Sequence, residues 1–118
     1  MYKVKKDFYC DSNNLTSLEG CPSEVGGSFY CDSNNLTLLK GCPSKVDGGF
    51  YCDNNQLTSL EGGPSEVGGS FWCNGNNLKS LEGCPSKVGG NFKCGNNPGN
   101  FTEEDVRAVC NVKGRVYV

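Results

Sequence analysis

The chain has 118 residues, of which 36% are hydrophobic and 20% are charged, so the sequence predicts one compact domain over residues 1–118 with a lean core. Its formal net charge is −2 and the signs are interspersed, which argues against nucleic acid as a partner because no basic patch could neutralise phosphates. A membrane is disfavoured as well, because no window approaches the ~20 apolar residues of a spanning helix.

The first ten residues, MYKVKKDFYC, carry positive charge but no apolar run. A secretion signal needs an apolar region of roughly 7–15 residues behind its charges. The sequence therefore predicts no such signal and a cytoplasmic location. Lys3, Lys5 and Lys6 are predicted to lie beside the first strand, where charge discourages pairing with another chain.

A repeat of 21 residues starts in the same segment. The stretch FYCDSNN of residues 8–14 returns unchanged as residues 29–35 and in altered form three times more. The repeating unit is V-x-x-x-F-x-C-x-x-N-x-L-x-x-L-x-G-x-P-x-x, and five such rungs occupy residues 4–98. A constant period in this range is typical of solenoids, in which each repeat packs on its neighbours.

The centre of this unit, F-x-C-x-x-N-x-L, resembles the L-x-L-x-x-N-x-L motif of leucine-rich repeats, with Phe and Cys in two leucine positions. The repeat length and the proline after the second leucine are similar to those of the short bacterial repeats in secreted effectors. The sequence motif SLEGCPxxVGG resembles repeat arrays in bacterial and tailed-phage proteins. The resemblance implies a repeat solenoid of stacked short parallel strands. One function that it suggests is a phage-encoded inhibitor of a host protein.

Alternation along a strand places Phe and Cys of each rung on one side and the residue between them on the other. We therefore expect one short parallel strand per rung, with Phe stacked on Phe and Cys on Cys in the interior. In leucine-rich repeats, the side chain of the motif asparagine bonds the backbone of the turn after the strand. The resemblance assigns this role to Asn13, Asn34, Asn55, Asn76 and Asn97.

Residues 99–118 are predicted to form a capping helix and a final strand. Thr102 is a suitable N-cap for a helix in FTEEDVRAVCN, and Phe101 is placed to pack against Val106. The last seven residues, VKGRVYV, align with VGGSFYC of an earlier rung. We expect them to form a sixth rung, with the helix covering the end of the core.

Five of the nine cysteines form a column in the strands, and three more form a second column before the prolines. Reduced, buried thiols that act as small hydrophobic residues are the favoured interpretation. A disulfide between neighbouring rungs is the first alternative, although it demands a specific S–S geometry. A metal site is the second, although the chain has no histidine and no close cysteine pair. The sequence therefore predicts no metal and no cofactor.

Charged residues also fall into columns, and the sign alternates along Glu24, Lys45, Glu66 and Lys87. Such a column stabilises a stack through the attraction of neighbouring charges. Because there is no histidine, a nucleophilic Ser or Cys would need another base. The sequence thus predicts that the protein is not an enzyme.

The outward residues between Phe and Cys form a column that is mostly aromatic, with a row of acidic residues beside it. Large aromatic side chains dominate interface hot spots, and a row of like charges attracts cations. We therefore predict non-enzymatic binding of a protein partner with a basic or mixed surface. The predicted binding residues are Tyr9, Asp11, Tyr30, Asp32, Tyr51, Asp53, Trp72, Asn74, Lys93 and Tyr117.

Two other functions fit the same column. Aromatic rings flanked by Asp and Asn also suit the rings and hydroxyls of carbohydrates. A purely structural role is the other alternative, in which the aromatic column only stabilises the sheet. In that case the unpaired edge near Val118 could join two copies, so the expected state is a monomer or a weak edge-mediated dimer.

Overall fold

The computed structural model describes residues 2–118 and shows a β-solenoid in which the chain returns to the same side after every 21 residues. Parallel strands of two residues each stack along the solenoid axis in two sheets of six strands. The first sheet contains β1 (Lys3–Val4), β3 (Glu24–Val25), β5 (Lys45–Val46), β7 (Glu66–Val67), β9 (Lys87–Val88) and β11 (Asn111–Val112). The second contains β2 (Phe8–Tyr9), β4 (Phe29–Tyr30), β6 (Phe50–Tyr51), β8 (Phe71–Trp72), β10 (Phe92–Lys93) and β12 (Val116–Tyr117). This architecture confirms the predicted repeat solenoid.

The first sheet corrects the expectation of one strand per rung. The valine of each rung pairs with the valine of the next, as Val4 does with Val25, so every rung carries a second strand. Glycines after the valines allow the coils to approach closely here: a Cβ added at Gly68 would collide with the carbonyl oxygen of Asp47. One apolar residue per rung is too short a signal to predict a strand, and the pairing comes from the stacking of whole coils.

The core is a set of columns that run along the axis between the two sheets. Phe29, Phe50, Phe71 and Phe92 are fully buried, and the centroids of successive rings lie 5.3 to 5.6 Å apart. The two leucine columns and the valine column complete this core, in which Leu36, Leu57 and Leu78 have no exposed surface. Burial of one such side chain contributes roughly 1.5–3 kcal/mol, so these columns hold the coils together.

The asparagine column has the predicted role. The Asn34 side-chain amide donates to the carbonyl oxygens of Cys10, Cys31 and Asp32, at 3.0 to 3.3 Å. Its Oδ1 accepts hydrogen bonds from the backbone N–H groups of Asn13 and Leu15, both at 2.9 Å. Asn13 is exposed and its amide donates only to the Asp11 carbonyl oxygen, so it lacks this role. Asn55, Asn76 and Asn97 each donate to three carbonyl oxygens and accept one backbone N–H. These side chains therefore satisfy backbone groups that the buried turn would otherwise leave unpaired.

Among residues 2–118 there is one helix, α1 (Glu103–Val109), which lies between β10 and β11. Thr102 is its N-cap and forms a capping box with Asp105, as the sequence predicts for the start of this helix. Val106 is the buried residue of the helix and belongs to the core. The chain then forms β11 and β12, which pair with β9 and β10, so the predicted sixth rung is present.

All nine cysteines, which lie within the described residues, carry free thiols. Cys31, Cys52 and Cys73 are completely buried, and burial raises the pKa of each thiol well above its usual value. The Cys52 thiol donates to the carbonyl oxygen of Trp72 on the next rung, at 3.2 Å. Cysteine thus fills a small apolar position and also reaches the neighbouring backbone.

The column of alternating charges lies along the first sheet. Lys3 Nζ is 2.9 Å from Glu24 Oε2, and Lys87 Nζ is 3.7 Å from Glu66 Oε1. Lys45 is in register with Glu24 on one side and with Glu66 on the other. Opposite charges therefore face each other at each step from Lys3 to Lys87.

No helix within residues 2–118 has the length and apolarity needed to cross a membrane.

Candidate functional site

The second sheet presents the predicted aromatic column on its outer surface. Tyr9, Tyr30 and Tyr51 stack nearly parallel, with ring centroids 4.6 and 4.8 Å apart. Tyr9 is 64% exposed, whereas Tyr30 and Tyr51 are half-buried by their neighbours. The constant register of the sheet therefore turns one aromatic residue per rung into a continuous stack of rings.

The stack changes direction at Trp72. The indole ring is T-shaped to Tyr51, with an interplanar angle of 89° and centroids 5.0 Å apart. The ammonium group of Lys93, on the next rung, lies 4.2 Å from the centroid of the indole. This is a cation–π contact, in which the ring quadrupole attracts the cation. The sheet thus carries an aromatic corner, formed by Tyr51 and Trp72, beside a bound cationic group.

The flank that precedes the aromatic column is structural rather than free for binding. Ser28 Oγ accepts a hydrogen bond from the Gly49 N–H at 2.9 Å, and Asp7 Oδ1 accepts one from the Ser28 N–H at 2.7 Å. Gly49 leaves room for the neighbouring ring, because a Cβ there would lie 2.5 Å from the hydroxyl oxygen of Tyr51. Polar side chains of this flank are therefore occupied with the backbone of the next rung.

The other flank carries the acidic row of Asp11, Asp32, Asp53 and Asn74. Asp11, Asp32 and Asn74 are half-buried, whereas Asp53 is only 8% exposed. Burial raises the pKa of the Asp32 and Asp53 carboxyls, and each is raised further by the acidic residue on the preceding rung. Lys93 acts in the opposite direction on the pKa of Asp53, because its positive charge favours the ionised carboxylate.

Two oxygens of this row lack hydrogen-bond partners. Among the described residues, the buried side-chain oxygens without a partner are Oδ1 of Asp53 and Oδ1 of Asn74. The other Asp53 oxygen accepts a hydrogen bond from Asn54 Nδ2 at 3.3 Å. A buried acceptor without a partner costs about 1–3 kcal/mol. Two on neighbouring rungs therefore mark a place where a donor would be stabilised.

A surface depression of about 260 Å³ lies beside Asp53 and Trp72, while Asn74 and Lys93 belong to the adjoining positions of the sheet. It is lined by Tyr30, Asp32, Tyr51, Asp53 and Trp72, so five of the ten predicted binding residues meet there. The name aromatic–acidic site is used below for these five residues together with Asn74 and Lys93. Tyr9 and Asp11 lie at one end of the sheet, and Tyr117 lies on the last rung at the other end.

A larger depression of about 440 Å³ lies on the first sheet, along the alternating charges. Three of its charged side chains, Lys45, Glu66 and Lys87, are in register with opposite charges on neighbouring strands. Its lining includes neither of the two unpartnered oxygens. The aromatic–acidic site is therefore the better candidate for binding.

Five of the predicted residues line the depression, but two properties of the site were not predicted from the sequence. The first is the burial of Asp53, because equivalent positions of a repeat column can differ in exposure. The position of Lys93 over the indole was also missed, although a cationic residue directly after an aromatic one in the same column is a signal for such a contact.

Within residues 2–118, no three His, Cys, Asp or Glu side chains are grouped so that they could hold a metal ion.

No protein-family model, curated protein or solved structure matches this chain.

Proposed function

We propose that the protein is a non-enzymatic binding module that recognises a protein partner through the aromatic–acidic site. One observation carries the proposal: half-buried aromatic rings surround a buried carboxylate, Asp53, whose Oδ1 has no partner. Aromatic rings provide contact area at low entropic cost, and an unmet acceptor provides specificity for a donor. A basic or mixed partner surface fits the acidic row.

The arrangement of the rings favours a protein over a carbohydrate. Sugar rings pack on exposed aromatic faces, whereas Tyr30 has Tyr9 at 4.6 Å on one face and Tyr51 at 4.8 Å on the other. What the stack offers to solvent is ring edges and hydroxyl groups. Such edges suit the irregular, mixed surface of a protein.

We further propose that the repeat is a short type of leucine-rich repeat. The support is the asparagine column, whose side chains bond the turn backbone as expected for that family, and the parallel strand that precedes each asparagine. The resemblance to phage arrays makes inhibition of a host protein one form of the binding function. A cytoplasmic location is proposed because free thiols persist in a reducing compartment.

The test compares capture of partners from lysates by three versions of the protein. The versions are the wild type, a variant with Tyr30, Tyr51 and Trp72 replaced by Ser, and a control with the exposed Thr16, Thr37 and Thr58 replaced by Ala. We expect the wild type and the control to retain the same proteins, and the serine variant to lose them. Far-UV circular dichroism of each version checks that the solenoid is folded.

The proposal is overturned if the folded serine variant captures the same proteins to the same extent as the wild type. A glycan array and light scattering across a concentration series separate the alternatives. Saturable binding of a glycan that disappears in the serine variant would replace the protein partner by a carbohydrate. Concentration-dependent dimerisation without any other partner would replace it by self-association.

A further inference from the structure

The two unpartnered oxygens of the aromatic–acidic site define the chemistry of what binds there, given the function proposed above. Both Asp53 Oδ1 and Asn74 Oδ1 are acceptors, so the missing group is a donor. They belong to neighbouring rungs, and adjacent strands are about 4.8 Å apart. A ligand that meets both must present at least two N–H groups that spread apart.

A guanidinium group has this geometry. Its five N–H donors radiate in one plane in a fixed fork, whereas the three donors of an ammonium group diverge from a single nitrogen. The planar cation also stacks on aromatic faces and is weakly hydrated, so it enters half-buried positions more easily than an ammonium does. Trp72 is perpendicular to Tyr51 and so leaves the stack of tyrosine rings, and it supplies such a face.

The charges of the site also favour a cation. Asp32 and Asp53 lie on adjacent rungs of the same row, and each loses part of its hydration by burial. Lys93 already places its ammonium 4.2 Å from the indole centroid, which shows that a ring face of Trp72 is available to a cation. Lys93 comes from the chain itself and leaves Asp53 Oδ1 and Asn74 Oδ1 without a hydrogen bond. Lys93 therefore occupies the ring face of Trp72 without donating a hydrogen bond to either oxygen.

We propose that the aromatic–acidic site binds an arginine side chain of the partner protein, which displaces Lys93 from Trp72 and donates hydrogen bonds to Asp53 and Asn74. Both oxygens are buried, so the side chains of Asp53 and Asn74 turn outward as the guanidinium enters. The Trp72 ring then packs on the guanidinium plane. Recognition is specific for arginine because both the fixed planar arrangement of its N–H donors and its positive charge are required.

The chain provides its own reporter, since Trp72 is its only tryptophan. The probes are three blocked tripeptides, acetyl-Gly-Xaa-Gly-amide, with arginine, lysine or citrulline at the centre. Citrulline retains the shape of arginine but has no charge. Titrations follow the indole fluorescence and the indole N–H resonance by nuclear magnetic resonance. We expect saturable shifts with the arginine peptide, binding of the lysine peptide about tenfold weaker, and no saturation with citrulline.

Three variants locate the binding. Asp53→Asn removes the buried charge, and we expect it to weaken binding of the arginine peptide about tenfold or more. This variant should fold, because asparagine already occupies the same column at Asn74. Lys93→Gln removes the competing cation and should tighten binding several-fold. The control Asp47→Asn also removes one negative charge, but from an exposed position near the first sheet, and should bind as the wild type does.

The inference fails if citrulline and arginine peptides bind equally, or if the folded Asp53→Asn variant binds the arginine peptide as tightly as the wild type. Its failure is distinguishable from failure of the proposed function. If captured partners depend on Tyr30, Tyr51 and Trp72 but not on Asp53, the face binds proteins without an arginine at this position. If the partners depend on none of these residues, the binding function itself is wrong.

Discussion

Replacement of Asn55 by alanine tests whether the asparagine column holds the solenoid together. Asn55 Oδ1 accepts a hydrogen bond from the Leu36 N–H at 3.0 Å. Its amide donates to the carbonyl oxygens of Cys31, Cys52 and Asp53 at 3.1, 3.2 and 3.3 Å. Alanine removes all four bonds from a side chain that is only 6% exposed.

The four losses are not equal. Each of the three carbonyl oxygens keeps another donor, from a neighbouring asparagine or from a backbone N–H of the adjacent rung. The Leu36 N–H is left without an acceptor, and a buried orphan donor costs about 1–3 kcal/mol. Each carbonyl bond adds a loss near the lower end of the range of about 0.5–1.5 kcal/mol. We therefore expect the free energy of unfolding to fall by about 3–5 kcal/mol, a large part of the total for a small domain.

This change is measured by urea unfolding at low temperature, with Trp72 fluorescence and far-UV circular dichroism as the two probes of the transition. Coincidence of the two transitions is required before the midpoints are converted into free energies. The matched control is Asn13→Ala in the first rung, where the side chain is exposed and its amide donates only to the Asp11 carbonyl oxygen at 2.9 Å. We expect a loss below about 1 kcal/mol for the control. Equal losses for the two variants would refute the reasoning.

Four other changes test separate parts of the structure. Asp53→Asn should raise the urea midpoint at pH 7, because burial raises the pKa of this carboxyl and an amide can donate to the unpartnered oxygen on the next rung. Asp53 binds its proton at a higher pH in the native protein than in the unfolded chain. The urea midpoint of the wild type should therefore rise relative to that of the variant as the pH is lowered toward 4. Iodoacetamide at pH 8, mapped by mass spectrometry, should label Cys21 well before Cys52. Cys21 is only half-buried and the neighbouring Cys10 thiol lowers its pKa, whereas Cys52 is fully buried and burial raises its pKa. Thr102→Ala should cost about 1 kcal/mol in urea unfolding through loss of the helix cap. Leu38→Ser should leave stability unchanged within about 0.5 kcal/mol, because it removes an exposed apolar side chain and offers the turn a serine acceptor, as other rungs do.

Each of these changes has its own control. Asp47→Asn controls for the loss of one negative charge, and a midpoint as high as that of Asp53→Asn would attribute the gain to net charge alone. Labelling in 8 M urea should be equal at all cysteines, and equal rates in the native protein would contradict the burial argument. Thr58→Ala is the control for the helix cap, because Thr58 lies on an exposed turn and its side chain has no described hydrogen bond. An equal loss of unfolding free energy for Thr58→Ala and Thr102→Ala would show that the loss does not come from the cap. A loss of more than about 1 kcal/mol for Leu38→Ser would show that Leu38 packs against a neighbouring coil.

The sequence allowed much of the solenoid to be predicted because its signals are local and repeated. A 21-residue period with Phe and Cys two residues apart establishes stacking and the inward face, and the alignment of Val112 with the valine column establishes the last rung. The strands of the first sheet were not predictable in this way. Val46 has a charged residue before it and Asp47 after it, and its pairing arises only when whole coils stack.

The candidate site shows a similar division. Alternation predicts that Tyr51 and Asp53 point outward on one face, and the structure places both beside one depression. The burial of Asp53 and the perpendicular ring of Trp72 depend on side-chain packing between rungs. Neither property can be derived from the repeat pattern alone, and together they distinguish Tyr51 and Trp72 from the rest of the aromatic column.

The alternating charges of the first sheet have a consequence for how the chain finds its own order. Two rungs share an identical stretch of nine residues, so the apolar columns distinguish poorly between adjacent and more distant rungs during folding. A coil that skipped its neighbour and stacked on the next but one would bring Glu24 against Glu66, or Lys45 against Lys87. Like charges opposite each other disfavour pairing by roughly 0.2–1 kcal/mol, in addition to the attraction that is lost. The column thus marks odd and even rungs with different signs, and it penalises the misfolded states that a nearly repetitive sequence makes most accessible.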